Sequence, residues 1–245
     1  MNEWEVILLV GAGLLAGVVN TLAGGGSLLT VPLLVLIGLP GGVANGTNRI
    51  GILIQSAVAA WRFRADGVSG FAGALPVLVP VASGSLLGAL AISRVADATF
   101  ERLFGMAMLV LLVPTLRRRP ERRDAGRPWP RALTFGLYFA VGLYGGAFQA
   151  GIGVLLLFAL SHAGFDLVRA NAIKMVVVAA LTAVAVPVFV MQGQVAWLPA
   201  ALVALGFAVG GGVGARVAVR GGEGVIRPVL MLAVLALAGR MLGLY

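Results

Sequence analysis

The stretch NTLAGGGSLLTVPLLVLIGLPGGVANGTNR, residues 20–49, decides how this chain is read. It begins inside one apolar run and breaks at Gly24-Gly25-Gly26. An apolar piece, 27–38, follows, and it is too short to cross a bilayer, which takes about 20 helical residues. The chain turns at Pro40-Gly41-Gly42 and delivers Asn45, Thr47, Asn48 and Arg49 into the next apolar run. Glycine breaks and uncompensated polar groups are costly at membrane depth, and they are tolerated where irregular backbone lines a cavity. The stretch therefore reads as half of a substrate site.

The rest of the chain sets the class. Of 245 residues, 60% are hydrophobic and 11% charged, against roughly a quarter charged in a soluble domain. Apolar segments recur at 5–23, 27–38, 43–61, 71–92, 100–116, 132–149, 153–162, 170–190, 196–215 and 224–243. None shows the period-2 alternation of a membrane-spanning strand. The expectation is an all-α polytopic integral membrane protein of 8–10 segments. Segments 27–38 and 153–162 are half-helices, tilted short spans or arms of re-entrant hairpins. The N-terminal MNEWEVILLV carries acidic residues before its apolar run and reads as a retained first helix.

Charge placement gives orientation. The linker 117–131, RRRPERRDAGRPWPR, holds seven arginines and three prolines and is expected to be cytoplasmic. Counting outward puts Arg62, Arg64, Asp166, Arg169, Arg216, Arg220 and Arg227 on the same side. The turns 39–43 and 191–195, the loop near 93–102 and both termini fall outside. The net charge of +9 follows from this bias and implies no nucleic acid. With no cysteine, disulfides and thiolate metal sites are excluded. Nothing implies a cofactor or a metal.

The linker divides the chain into 1–116 and 132–245. Ala23-Gly24-Gly25-Gly26 resembles Ala150-Gly151-Ile152-Gly153, and Ala44-Asn45-Gly46-Thr47-Asn48 resembles Ala170-Asn171-Ala172-Ile173-Lys174. The halves enter the membrane from opposite sides, so two inverted-topology repeats of about five helical segments each are expected. Aligned in this way, Lys174 falls opposite Asn48.

The expected substrate-binding set is Gly24, Gly25, Gly26, Ser27, Asn45, Thr47, Asn48, Arg49, Gln149, Gly151, Asn171 and Lys174. A cation inside an apolar run must meet an anion or snorkel to the interface. Both readings stand for Arg49 and Lys174. Asn45, Thr47, Asn48 and Asn171 stand at the starts of apolar runs, where they cap a helix, line a pathway, or both. The glycines allow close approach of a ligand or of another helix. Asn20, Gln55 and Gln149 are expected to bond between helices. His162 reads as an interfacial cap, and Trp4, Trp61, Trp129 and Trp197 as interfacial anchors. All nine acidic residues lie in or beside loops, which removes a buried carboxylate as proton relay or sodium ligand.

Gly13 to Gly17, Ala23-Gly24-Gly25-Gly26-Ser27, Val31-Pro32, Gly38-Leu39-Pro40 and Ala44-Asn45-Gly46-Thr47-Asn48 together resemble the amino-terminal signature of the sulfite exporter TauE/SafE family. The resemblance runs over the whole chain. The second half departs from the signature, with Gly151-Ile152-Gly153 for the triple glycine and Ala172-Ile173 for Gly-Thr. The resemblance implies transport of sulfite, organosulfonates or related organic anions across a bacterial inner membrane. The expected partners are a small anionic substrate and the lipid bilayer, and a homo-oligomer is left open. The alternatives are an anion channel and a membrane-embedded enzyme. The latter needs a nucleophile, acid/base pair or metal cluster that the sequence lacks.

Overall fold

The computed structural model describes residues 2–116 and 130–220, and the regular structure among them is helical throughout. The helices are α1 Glu3–Leu22, α2 Ser27–Leu36, α3 Gly41–Ala65, α4 Phe71–Ile92, α5 Asp97–Leu116, α6 Arg131–Ala147, α7 Ile152–His162, α8 Leu167–Met191 and α9 Trp197–Arg220. The segment 224–243, linker residues 117–129 and Trp129 lie outside the described residues.

Four of these helices, α1, α4, α8 and α9, are long and apolar enough to cross a membrane. Helix α3 matches α8 at 25 residues, or about 38 Å of rise. Its interior carries Asn45, Thr47, Asn48, Arg49 and Gln55, all fully buried by other helices. Helices α2 and α7, of 10 and 11 residues, are each about 15–17 Å long and reach half-way through a core of about 30 Å. This is an integral membrane protein.

Packing follows a pattern of partner exchange. Helices α3 and α8 pack against each other at the centre, α3 also against α9 and α8 against α4. At the periphery α1 packs along α9, and α4 along α6. Both peripheral pairs are close approaches between glycines spaced four apart. On α1, Gly13 and Gly17 face the backbone of Val203, Phe207 and Gly210, while Gly206 and Gly210 of α9 face Val10 and Leu14. On α4, Gly84 and Gly88 face Phe139 and Leu143, while Gly142 and Gly146 of α6 face Val81 and Ser85. Lipid is as apolar as leucine, so backbone approach through small residues is what holds helices together there.

The turns gather at two ends. At one, the Gly42 amide donates to Asp97 Oδ1 at 2.8 Å, and Gln194 Nε2 donates to the Ser93 carbonyl at 2.9 Å. Those bonds join the three uncharged or balanced turns. At the other end of α3 and α9, Arg62, Asp66, Arg216 and Arg220 surround one pocket. Trp4, Trp61 and Trp197 are exposed near the ends of α1, α3 and α9, as interfacial anchors would be.

Candidate functional site

Two helix breaks meet in the middle of the bundle. After α1 the chain turns at Gly24, with φ of 84°; after α6 it turns at Gln149 and Gly151, with φ of 61° and 64°. A Cβ on Gly24 would strike the backbone of Gly153 and Val154, and one on Gly153 would strike Gly24. The start of α7 is thus packed directly on the break before α2. A helix start carries N–H groups without intrahelical acceptors and the positive end of the helix dipole. Gly25 and Gly26 are buried at this junction, and Gly26 lies against Ala16 and Asn20 of α1.

Each break is closed off by a cation from the other half of the chain. Arg49, fully buried on α3, reaches the last turn of α6. Its Nη1 donates to the Gly145 carbonyl at 3.2 Å and to Gln149 Oε1 at 2.8 Å. Its Nη2 donates to the carbonyls of Gly146 at 2.6 Å and Ala147 at 3.0 Å. The guanidinium also lies 4.5 Å from the Phe189 ring centroid. Lys174, fully buried on α8, reaches the last turn of α1. Its Nζ donates to the carbonyls of Asn20 at 3.1 Å and Thr21 at 2.7 Å, and to Asn171 Oδ1 at 2.7 Å. The carbonyl end of a helix is its negative pole, so each cation sits where the dipole favours it. Neither snorkels.

Neutral polar side chains complete both ends. Asn20 Nδ2 donates to Gln55 Oε1 at 2.6 Å, and Gln55 Nε2 to Thr21 Oγ1 at 2.6 Å. Gln149 Nε2 donates to Thr182 Oγ1 at 2.8 Å, and Asn45 Nδ2 to the Ala147 carbonyl that Arg49 also uses, at 2.9 Å. The expectation that Asn20, Gln55 and Gln149 bond between helices holds. Asn48 Oδ1 accepts from Thr30 Oγ1 at 2.5 Å. Four buried atoms in this region have no hydrogen-bond partner: Ser27 Oγ, Asn45 Oδ1, Asn48 Nδ2 and Arg49 Nε. Asn45, Asn48 and Arg49 share one face of α3, and Ser27 lies one turn from Thr30 on α2.

The structure corrects two expectations. Asn45, Thr47, Asn48 and Asn171 do not stand at helix starts. Pro40 precedes the first residue of α3 with φ already helical, and Asp166 caps α8 by accepting from the amides of Val168 and Arg169. The four polar residues lie one to two turns inside, so their side chains turn to neighbouring helices. The Thr47 hydroxyl accepts from the Ala196 amide ahead of α9 at 2.9 Å. The partner of Lys174 in role is Arg49, not Asn48. The remaining residues come together around the two breaks. Thr30, Thr182 and Phe189 join them; the two threonines were signalled only as hydroxyls in apolar helices, and the carbonyls of 145–147 by nothing in the sequence.

Comparison with known proteins bears on this arrangement. The sequence model of the family described as sulfite exporter TauE/SafE matches residues 9–241. The chain belongs to this family. It is 29% identical over 235 residues to the probable membrane transporter protein ORF9 of a Sinorhizobium species, covering 94% of this chain and 90% of that one. A probable membrane transporter protein of Haemophilus influenzae is 27% identical over 233 residues, covering 94% and 91%. The probable membrane transporter protein YfcA of Escherichia coli K12 is 27% identical over 236 residues, covering 94% and 86%. No solved structure matches. As a TauE/SafE member the chain is of a membrane transporter family, and the paired breaks are where an α-helical membrane protein can place polar chemistry at depth.

Proposed function

We propose that this TauE/SafE protein is a secondary carrier of small anions, sulfite, organosulfonates or related organic anions, which bind where the starts of α2 and α7 meet between Arg49 and Lys174. The observation that carries this reading is the pair of fully buried cations in helices without any carboxylate. An ionised side chain at bilayer depth costs about 2.5–3.5 kcal/mol on insertion scales. Helix-end carbonyls offset part of that, up to about 2 kcal/mol in partly buried geometries. An oxyanion would offset the remainder, and Ser27 Oγ, Asn48 Nδ2 and Arg49 Nε are donors with nothing to donate to.

Access requires movement, because both cations are at 0% exposure. The reading assigns the movement to two inverted repeats, 1–116 and 132–245, rocking about the break junction. Three observations support it: the exchange pattern α1·α9 with α4·α6 and α3·α9 with α8·α4, the matched short helices α2 and α7, and the reciprocal capping by Arg49 and Lys174. The gathering of Arg62, Arg216 and Arg220 at one end supports a cytoplasmic location for that end and for the linker.

The test is flux of radiolabelled sulfite and sulfonates in proteoliposomes, together with anion-dependent thermal shift of the purified protein. A carrier gives flux that saturates and exchanges. Unitary currents would replace the carrier with a channel, and the absence of anion-dependent stabilisation or flux across the series would overturn the assignment.

A further inference from the structure

The end of the molecule away from the uncharged turns holds a pocket of about 410 Å³ lined by Arg62, Asp66, Val219, Arg216 and Arg220. It lies at the last turn of α3 and the last turn of α9, more than three helical turns from Arg49 along α3. Among its described lining residues the single carboxylate is engaged at both oxygens: Arg62 Nε donates to Asp66 Oδ2 at 3.0 Å and Nη2 to Oδ1 at 2.9 Å. Arg216 and Arg220 stand one turn apart on α9, both exposed, and neither has a carboxylate partner among the described residues. Like charges four residues apart on a helix repel. Three guanidinium groups against one carboxylate give the described lining residues a formal charge of +2.

We propose that this pocket is a second anion site, distinct from the transport site, that takes a phosphate group. A phosphate carries up to two negative charges and offers adjacent oxygens to each guanidinium fork, which is the geometry arginine binds best. An anion between Arg216 and Arg220 turns their repulsion into attraction. The volume accommodates a phosphate with its substituents, and the partly exposed Val219 supplies an apolar wall beside the charged groups. The phosphate has two sources at a helix end of this kind, the headgroup of an anionic phospholipid and free phosphate in the aqueous phase.

The experiment uses the full chain in nanodiscs of zwitterionic lipid, read by thermal unfolding and by native mass spectrometry of retained lipid. One arm replaces a fraction of the lipid with phosphatidylglycerol, and the other adds inorganic phosphate. Stabilisation in the first arm alone identifies a headgroup, and in the second a free phosphate; either supports the site. The Arg216→Gln/Arg220→Gln variant, altered only at exposed positions, should weaken that binding about 30-fold, as expected for two basic residues near a phosphate-bearing surface, while sulfite-dependent stabilisation is retained. The Asp66→Asn variant removes the one negative charge among the described lining residues and releases Arg62, so it should bind phosphate more tightly. No stabilisation in either arm, equal stabilisation of the double variant, or weaker binding by Asp66→Asn would each overturn the proposal, whatever the outcome at the transport site.

Discussion

Lys174 follows Arg49 by 125 residues, and the carbonyls of Gly145 and Gly146 that Arg49 holds follow those of Asn20 and Thr21, held by Lys174, by the same 125. The two cations therefore perform one task in two places, each closing the carbonyl end of a helix broken at mid-bundle. Reciprocity of this kind leaves each half incomplete without the other. It also puts one positive charge at each break.

Arg49 should accordingly be structural as well as functional. Arg49→Gln strands the Gly146 carbonyl and Gln149 Oε1, since the Gly145 carbonyl also accepts from the Gln149 amide and that of Ala147 from Asn45, and each buried polar group left without a partner costs about 1–3 kcal/mol. We expect a loss of about 3 kcal/mol or more, read as a lower thermal unfolding temperature in detergent. Arg49→Lys keeps the charge at the helix end and should recover about half of it. Equal stability of Arg49→Gln and the native protein would show that the four hydrogen bonds do not hold α6.

The glycine junction makes a sharper structural demand. Gly24→Ala places a methyl group on the Gly153 backbone and in a left-handed conformation, and Gly153→Ala strikes Gly24 from the other side. Gly38 has φ of 96° with open space around a would-be Cβ. Gly38→Ala should thus show the conformational cost alone, about 1–2 kcal/mol, while Gly24→Ala exceeds it and Gly153→Ala prevents the two breaks from meeting. Yield of folded monodisperse protein and unfolding temperature check the order; a Gly24→Ala no worse than Gly38→Ala would disprove the contact.

How much of this was legible in the sequence differs residue by residue. The breaks at Gly24 and Gly151 were legible because an apolar run of ten to twelve residues cannot span, whatever packs around it. Arg49 and Lys174 were legible because a cation inside such a run demands an explanation. What they hold was not, since backbone carbonyls of a helix end have no side-chain signature. The pairing of Lys174 went to Asn48 because α3 and α8 start 126 residues apart while α2 and α7 start 125 apart. A long side chain one position along reaches the same carbonyls, so role and alignment separate by one residue. The partner of Thr47 was hidden for a related reason: residues in successive positions on a helix point about 100° apart, and Thr47 bonds ahead of α9 while Asn48 bonds to α2 and Asn45 and Arg49 to the end of α6.

That last distinction gives a test of its own. Thr47→Val removes the acceptor of the Ala196 amide, which should lower stability by about 1 kcal/mol, the usual worth of such a bond. Anion affinity should be unchanged. A fall in affinity without loss of stability would make Thr47 a ligand.

The polar chain at the end of α1 should behave in the same way. Gln55 links Asn20 to Thr21, whose carbonyls position Lys174. Gln55→Leu leaves the Asn20 amide without its acceptor and should cost about 1–3 kcal/mol, with binding weakened only as far as Lys174 shifts. Abolished anion binding in a fully stable Gln55→Leu protein would make the glutamine a ligand.

Ser27 separates ligand chemistry from folding most cleanly. Ser27 is 1% exposed and its buried hydroxyl has no partner, and burial of an unpaired hydroxyl costs about 1–3 kcal/mol on mutational scales. A purely structural serine here is a defect, so Ser27→Ala should leave the ligand-free protein as stable or more so. If the hydroxyl instead waits for an oxyanion, its loss removes a hydrogen bond to a charged group, worth about 1.5–3 kcal/mol, and anion affinity falls about 10- to 100-fold. Stability and affinity then move in opposite directions, which no packing role produces. A Ser27→Ala protein that binds sulfite or sulfonate as tightly as the native chain would remove the start of α2 from the site.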